Sequence, residues 1–336
     1  VHRALIDILQ CPKCGGRLDW AEGESEKGSR LLSADATCAG CSTNYPVRKG
    51  IGVFLVDDAA RRDMWEETHG ALVGLLEENP ELRSRLLDTP LESLEFIDRW
   101  WRAKYLEKTG DLAAAASVAD CIEWDSVYTP EFNEARRQVT SLAAEVAASE
   151  GGMVVDIASG EGGLLRRLAE TMGQRGGQLV GSDISVRVLR RNRDWFTFHG
   201  MMDPLSLLAF DARQTPFKTG SIPIITTHFG LANILNAGPL LQELRRIASG
   251  RFLVTHISYY PDDKVHAEIF RRFGMHSRLD EELVAIESAG WRCRTLLDLE
   301  HVRHMPTPES KILPGFGLDA VPVEETEVRV VLLELE

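Results

Sequence analysis

The sequence predicts an α/β protein: a mainly parallel sheet with helices on both faces, preceded by a small cysteine-bearing ribbon and a helical linker. Three observations carry this. From about residue 131, short apolar runs alternate with amphipathic stretches, the pattern of strands joined by crossover helices. Four of the six cysteines fall within the first 60 residues as two CxxC pairs. Between these regions, Leu94, Ile97, Trp101 and Tyr105 recur at spacings of three and four in an otherwise charged stretch.

Taken in order, residues 1–60 hold the cysteine pairs, several glycines and little helical periodicity, and are expected to form a ribbon. Residues 61–130 are expected to be a helical linker or lid, divided into at least two helices by Pro80 and Pro90. Residues 131–336 are expected to be the sheet domain. A helix over 131–149 leads into strands at 153–157, 178–182, 205–210, 222–227 and 251–257, with a closing strand at 327–335. Helices are expected at 161–173, 186–198, 237–248 and 262–273. No internal repeat or low-complexity tract interrupts the chain.

Composition narrows the function classes. Hydrophobic residues make up 44% and charged residues 26%, as in ordinary globular proteins. No apolar run approaches the ~18 residues that span a bilayer, and the first ten residues lack the apolar stretch of a signal peptide. A cytoplasmic protein with no membrane partner is therefore expected. Net charge is −13, and no segment is basic overall: 7 basic residues face 8 acidic over 1–60, 8 face 15 over 61–130, and 23 face 28 thereafter. Nucleic-acid binding needs a positive face to release counterions, so the balance weighs against an RNA partner.

Cys11 and Cys14 form one knuckle and Cys38 and Cys41 a second, separated by 23 residues. Such pairs supply the four thiolates of a tetrahedral zinc site. A full ligand set leaves no open position, so the zinc is expected to be structural. Alternatives are a dithiol redox pair or two disulfides. Gly15 and Gly16 suit the tight turn after the first pair, whereas Ser42 follows the second. Cys121 and Cys293 have no CxxC partner and are expected to be packing residues. Residues 5–18, LIDILQCPKCGGRL, and the later CAGCSTNYPVRKGIGVFL resemble the small zinc-ribbon family that activates methyltransferases as a separate subunit. The resemblance covers roughly residues 2–57. It implies a ribbon fused to its client, with a possible protein partner through the ribbon.

The run VVDIASGEGG at 154–163 lies between a predicted strand and a predicted helix. Gly160 and Gly162 let backbone pass close to a ligand, and Asp183, closing the next strand, suits ribose hydroxyls. Asp211 follows the third strand and suits an adenine amino group. A nicotinamide or flavin loop is the alternative for the glycines alone, and a helix cap for each aspartate. In this order, over about 131–336, the set resembles the class I S-adenosylmethionine methyltransferases, which are Rossmann-like. That resemblance implies S-adenosylmethionine as cofactor, with Asp156, Gly160 and Gly162 around its amino-acid part, Asp183 on the ribose and Asp211 at the adenine. The chain departs from the pattern at Ala158, where many members have glycine, and at Pro223, where an aspartate is frequent.

The segment FGLANI, 229–234, is similar to the FGLRN segment of menaquinone and ubiquinone biosynthesis C-methyltransferases, which implies a small aromatic or quinol-like methyl acceptor. Phe229 and Asn233 are candidate acceptor contacts, with Tyr128 from the preceding lid segment and Tyr259 beyond the fifth strand. Trp124 and Phe132 are expected to shape the same lid. His228 and His256 are candidate bases, needed only if the acceptor loses a proton; a hydrogen-bonded core histidine is the alternative for each. Tyr260 is placed near the same cleft, and His301 and His304 receive no role. Two further readings stand beside small-molecule methylation. One is an RNA methyltransferase. The other is a non-catalytic cofactor-binding protein that uses its ribbon as a docking module.

Overall fold

The computed structural model describes residues 1–26, 29–56, 64–149, 151–234, 237–273 and 278–336. The ribbon contributes β1 (Leu18–Glu22), the small hairpin β2 (Ser25–Glu26) and β3 (Arg30–Leu31), then β4 (Ser33–Cys38), β5 (Asn44–Arg48) and β6 (Ile51–Val53). Four helices follow: α1 (Met64–Glu78), α2 (Pro80–Asp88), α3 (Phe96–Lys108) and α4 (Leu112–Ala119). Pro80 sits in the first turn of α2, where its missing N–H costs no hydrogen bond. Leu94, Ile97, Trp101 and Tyr105, the residues of the sequence periodicity, are all buried in one cluster with Leu72, Leu76 and Leu86.

The sheet domain opens with α5 (Pro130–Ala148), capped by the Thr129 hydroxyl, which accepts from Phe132 N at 3.3 Å. It continues through β7 (Met153–Ile157), α6 (Gly163–Arg175), β8 (Gln178–Asp183), α7 (Val186–Phe198), β9 (Leu205–Ala209), β10 (Ile222–His228), α8 (Ala237–Ile247) and β11 (Ala248–Tyr259). It closes with α9 (Lys264–Phe273), α10 (Leu279–Ser288), β12 (Cys293–His304) and β13 (Thr326–Leu335). Strands β7 to β11 are parallel and nearly continuous in buried Val, Ile and Leu, as befits strands covered on both faces.

Strand order is β1-β4-β5-β6-β9-β8-β7-β10-β11-β13-β12. Order reverses at β7, with β8 on one side and β10 on the other, which makes the carboxyl end of β7 the topological switch point where α/β sheets bind ligands. The fold is α/β and Rossmann-like, with α5, α6 and α7 over one face and α8 and α10 over the other.

The ribbon is continuous with this sheet. Ile51, Gly52 and Val53 pair in parallel with Leu207, Leu208 and Ala209, and Phe54 N donates to Ala209 O at 2.7 Å. Leu5, Leu9, Tyr45 and Phe54 share one apolar core with Phe210, Phe217, Leu240 and Phe252. Two elements fall outside the predicted pattern, α10 and β12. Strand β12 is an edge strand, charged and mostly exposed (RTLLDLEHVRH), so it lacks the apolar run that marks the inner strands. The segment between β12 and β13 folds over the linker helices: Ile312 and Leu313 join their core, and Trp101 Nε1 donates to Phe316 O at 3.3 Å.

Candidate active site and metal centre

At the switch point the chain leaves β7 through Asp156, which is 1% exposed. Its carboxyl accepts from the Thr226 hydroxyl at 2.7 Å, and burial pushes its pKa up to about 7. The loop beyond takes left-handed backbone at Ala158 (φ 52°), Gly160 (φ 49°) and Gly162 (φ 82°). Ala158 thus adopts a conformation that costs an L-residue with a Cβ about 1–2 kcal/mol. Ser159 N donates to Ser182 O at 2.7 Å, and Asn192 Nδ2 donates to Gly160 O at 2.9 Å, so β8 and α7 hold the loop.

Asp183 ends β8 and is turned to the same loop. Its Oδ2 accepts from Gly160 N at 3.0 Å and its Oδ1 from Ser185 N at 2.9 Å. Asp211, beyond β9, is gripped by Arg213, whose Nε and Nη2 donate to Oδ1 at 3.0 Å and Oδ2 at 2.6 Å. The three acids therefore stand at the carboxyl ends of adjacent strands β7, β8 and β9.

The ribbon braces the segment that carries Asp211. Gln214 Nε2 donates to Pro12 O at 2.8 Å, Gln10 N to Pro216 O at 2.7 Å, and Lys218 N to Ile8 O at 2.9 Å. On the opposite side, helix α3 reaches the glycine loop. The Lys104 ammonium, 2% exposed, pairs with Glu161 of the loop and lies 3.6 Å from Glu107. Arg191 of α7 pairs with Glu107, and its Nη1 donates to Glu161 O at 2.8 Å. No local pattern marks this four-residue charge network, because its contacts join Lys104 and Glu107 of one helix to Glu161 and Arg191, which lie 54 to 87 residues further along the chain.

The two candidate histidines face opposite sides of the sheet. His228 Nε2 is 2.9 Å from the Thr140 hydroxyl on α5. That hydroxyl donates its single proton to Arg136 O at 2.6 Å, so His228 Nε2 carries a hydrogen and Nδ1 is left as an acceptor. The His228 ring edge lies 3.8 Å from where a Cβ on Gly163 would stand, beside the cofactor loop. Burial, with the nearby Arg136 charge, lowers its pKa to about 3, so it is neutral at working pH. His256 instead packs under α10, with Nδ1 2.8 Å from Glu282 Oε2 and both residues 2% exposed.

Tyr128, Phe229 and Tyr259 gather in one cluster with Phe132, Phe270 and Val302. Asn233 lies apart, in an exposed turn, with Nδ2 3.4 Å from Phe229 O. Phe229 takes φ 55°, and Gly230 fits only because it has no side chain: a Cβ would stand 2.8 Å from Thr227 Oγ1 and 2.9 Å from Ala158 Cβ. Tyr260 stacks on His301 at 5.1 Å. Sequence reasoning missed Arg136, His304 and Asp319, which join the aromatic cluster from α5, β12 and the loop before β13. Tyr128 Oη donates to Asp319 Oδ2 at 2.6 Å.

In the ribbon, the sulfurs of Cys11, Cys14, Cys38 and Cys41 all lie within 4.8 Å of one another. The Cys11–Cys41 and Cys14–Cys38 separations are 3.6 and 3.5 Å. Bonds of ~2.3 Å to a tetrahedral ion imply edges of roughly 3.8 Å, so the set fits zinc and is far too open for disulfides. A Cβ on Gly16 would stand 2.9 Å from Cys38 Sγ, which explains the glycine there. Ser42, in the equivalent turn of the second knuckle, takes φ 57°.

Residues 132–259 match the ubiE/COQ5 methyltransferase family. The stretch runs from α5 to the end of β11 and contains the glycine loop, Asp183, Asp211, His228 and His256. The curated relatives include the ubiquinone/menaquinone biosynthesis C-methyltransferases UbiE of Burkholderia mallei and Burkholderia thailandensis. Each is 36% identical over 117 residues, which is 34% of this chain and 47% of the relative. The chain thus spans about half the length of the curated relatives it matches. Similar solved structures include YcgJ from Bacillus subtilis (TM-score 0.47, 15% identity, 59% of this chain and 97% of that one). A S-adenosylmethionine-dependent methyltransferase from Aquifex aeolicus gives a TM-score of 0.40 at 15% identity, over 59% of this chain and 97% of that one. Among the described residues no helix is long and apolar enough to cross a membrane.

Proposed function

We propose that this chain transfers a methyl group from S-adenosylmethionine to a small aromatic or quinol-like acceptor. The observation that carries the reading is the alignment of Asp156, Asp183 and Asp211 at the ends of three adjacent strands around a left-handed glycine loop, within the stretch that matches the methyltransferase family. When bound, the cofactor supplies an electrophilic methyl group on a sulfonium. Asp156, Gly160 and Gly162 would hold its amino-acid part, the Asp183 carboxylate at the end of β8 would take the ribose hydroxyls, and Asp211, fixed by Arg213, would take the adenine amino group. Transfer is an in-line displacement, so the main task of these residues is to fix donor and acceptor in contact.

Of the two candidate histidines, His228 stands nearer the loop, and its bare Nδ1 makes it an acceptor of a hydrogen bond at the cofactor's edge. His256 is tied to Glu282 across the sheet, which favours a structural role for it. Tyr128, Phe229 and Tyr259 form the aromatic wall on the acceptor side. Cys11, Cys14, Cys38 and Cys41 hold a structural zinc, supported by the sulfur spacing. The ribbon serves its own sheet, supported by its hydrogen bonds to the segment 214–218. A net charge of −13 does not favour RNA as acceptor.

The test is incubation with methyl-labelled S-adenosylmethionine and a cell extract separated into metabolite, RNA and protein fractions. Label in the metabolite fraction is expected. Label in RNA or protein alone would replace the acceptor class, and tight cofactor binding with no label anywhere would favour a non-catalytic binding protein.

A further inference from the structure

His304 sits at the end of β12 with 4% of its surface exposed, and neither ring nitrogen has a hydrogen-bond partner among the described residues. A buried imidazole that leaves both polar atoms unmatched costs stability and has no packing rationale. Its ring lies flat on Phe132 at 3.8 Å, so both nitrogens project sideways from the stack rather than into it. Beside it is Arg136, whose guanidinium lies 5.1 Å from the Tyr128 ring centre and 5.8 Å from that of Phe132, and whose charge acts on the Tyr128 hydroxyl and the Asp319 carboxylate. Asp319, an acid of this cluster, accepts the Tyr128 hydroxyl at 2.6 Å.

Arg136 also connects this cluster to the cofactor loop. Its carbonyl accepts the Thr140 hydroxyl, which in turn receives His228 Nε2–H. The Arg136 charge acts on the imidazoles of both His228, beside the glycine loop, and His304, in the aromatic cluster.

We infer that His304 and Arg136 form the polar end of the acceptor site and take a hydroxyl on an aromatic ring, the ring itself packing against Tyr128, Phe132 and Phe229. This rests on the methyl-transfer reading above. A neutral imidazole offers one donor and one acceptor, and a ring hydroxyl can pair with either of them, giving a proton to one nitrogen or accepting from the other. The guanidinium favours the phenolate form, whose proton is released to solvent water, and that negative charge is what makes the ring carbon beside the oxygen nucleophilic. With its pKa lowered to about 4, His304 is too weak a base to deprotonate a phenol, so its part is to position the hydroxyl while Arg136 supplies the charge.

The test uses the full chain with naphthol and its methyl ether as probes, titrated with and without S-adenosylhomocysteine and followed through the fluorescence of Trp124, stacked on Tyr128. Naphthol is expected to bind more tightly than the ether. His304→Phe should weaken naphthol roughly tenfold, leave the ether and S-adenosylhomocysteine unchanged, and raise Tm, because the unmatched nitrogens are gone. Arg136→Gln should weaken naphthol and shift its tightening with rising pH to higher pH. A wild-type protein blind to naphthol, or naphthol affinity unchanged in both variants, would overturn the assignment. Failure to bind S-adenosylhomocysteine at all would sink the methyl-transfer reading instead, and the cofactor-free titrations would still decide the site.

Discussion

Single residues in the glycine loop carry measurable strain and charge. Ala158 holds φ 52° without the freedom of glycine, so Ala158→Gly should stabilise the protein by about 0.5–1 kcal/mol in a denaturant titration, after the extra unfolded-state entropy of glycine is subtracted. Asp156 is raised to about 7 by burial, above the ~3.9 of an unfolded chain. The folded state therefore holds this proton more tightly. Its contribution is intact below about pH 4 and is lost progressively as pH rises through 7, by an amount on the order of 3–4 kcal/mol. Asp156→Asn keeps an oxygen to accept from Thr226 and should flatten that decline in ligand-free protein; an unchanged pH–stability curve would refute the assignment. Asp183→Ala removes acceptors for Gly160 N and Ser185 N and should weaken S-adenosylmethionine about 100-fold by calorimetry, the loss of two charge-assisted bonds.

Among elements, the ribbon and the sheet share hydrogen bonds and core. Strand β6 pairs with β9, and the first knuckle is bonded to 214–218, next to Asp211. From sequence, chelation is expected to unfold the first 60 residues without abolishing the cofactor fold outright. The pairing predicts otherwise: removing metal, or making Cys38→Ser, should lower the main Tm and weaken cofactor binding together. Two separate melting transitions with unaltered affinity would show that the ribbon is energetically independent. The sequence exposed the cysteine spacing because paired CxxC knuckles are a local pattern. It hid the β6–β9 pairing because a three-residue strand carries no periodicity that names its partner.

Over the whole molecule, linker helix α3 closes on the glycine loop through Lys104, Glu161, Arg191 and Glu107. Breaking a buried network by removing one member leaves an uncompensated charge, typically at about 3–5 kcal/mol. Lys104→Met and Glu161→Gln should each destabilise the protein and loosen the 89–120 region to proteolysis. Because the two side chains are in contact, the double variant should cost less than the two single changes combined. Strict additivity would mean that helix α3 and the loop are not coupled.

The sequence by itself determined the α/β class, the positions of the inner parallel strands, the two cysteine pairs and the three acids at strand ends. Each of these is written in short windows: continuous Val and Ile in β7, glycine at left-handed turns, acids at strand ends. Tertiary structure alone decided that His228 and His256 lie on opposite faces of the sheet, that the charged edge β12 is a strand, and that Arg136, His304 and Asp319 meet Tyr128. These residues come from four segments up to 191 positions apart. Burial and the matching of hydrogen bonds are properties of the packed chain, and no local pattern encodes which polar group will be left without a partner.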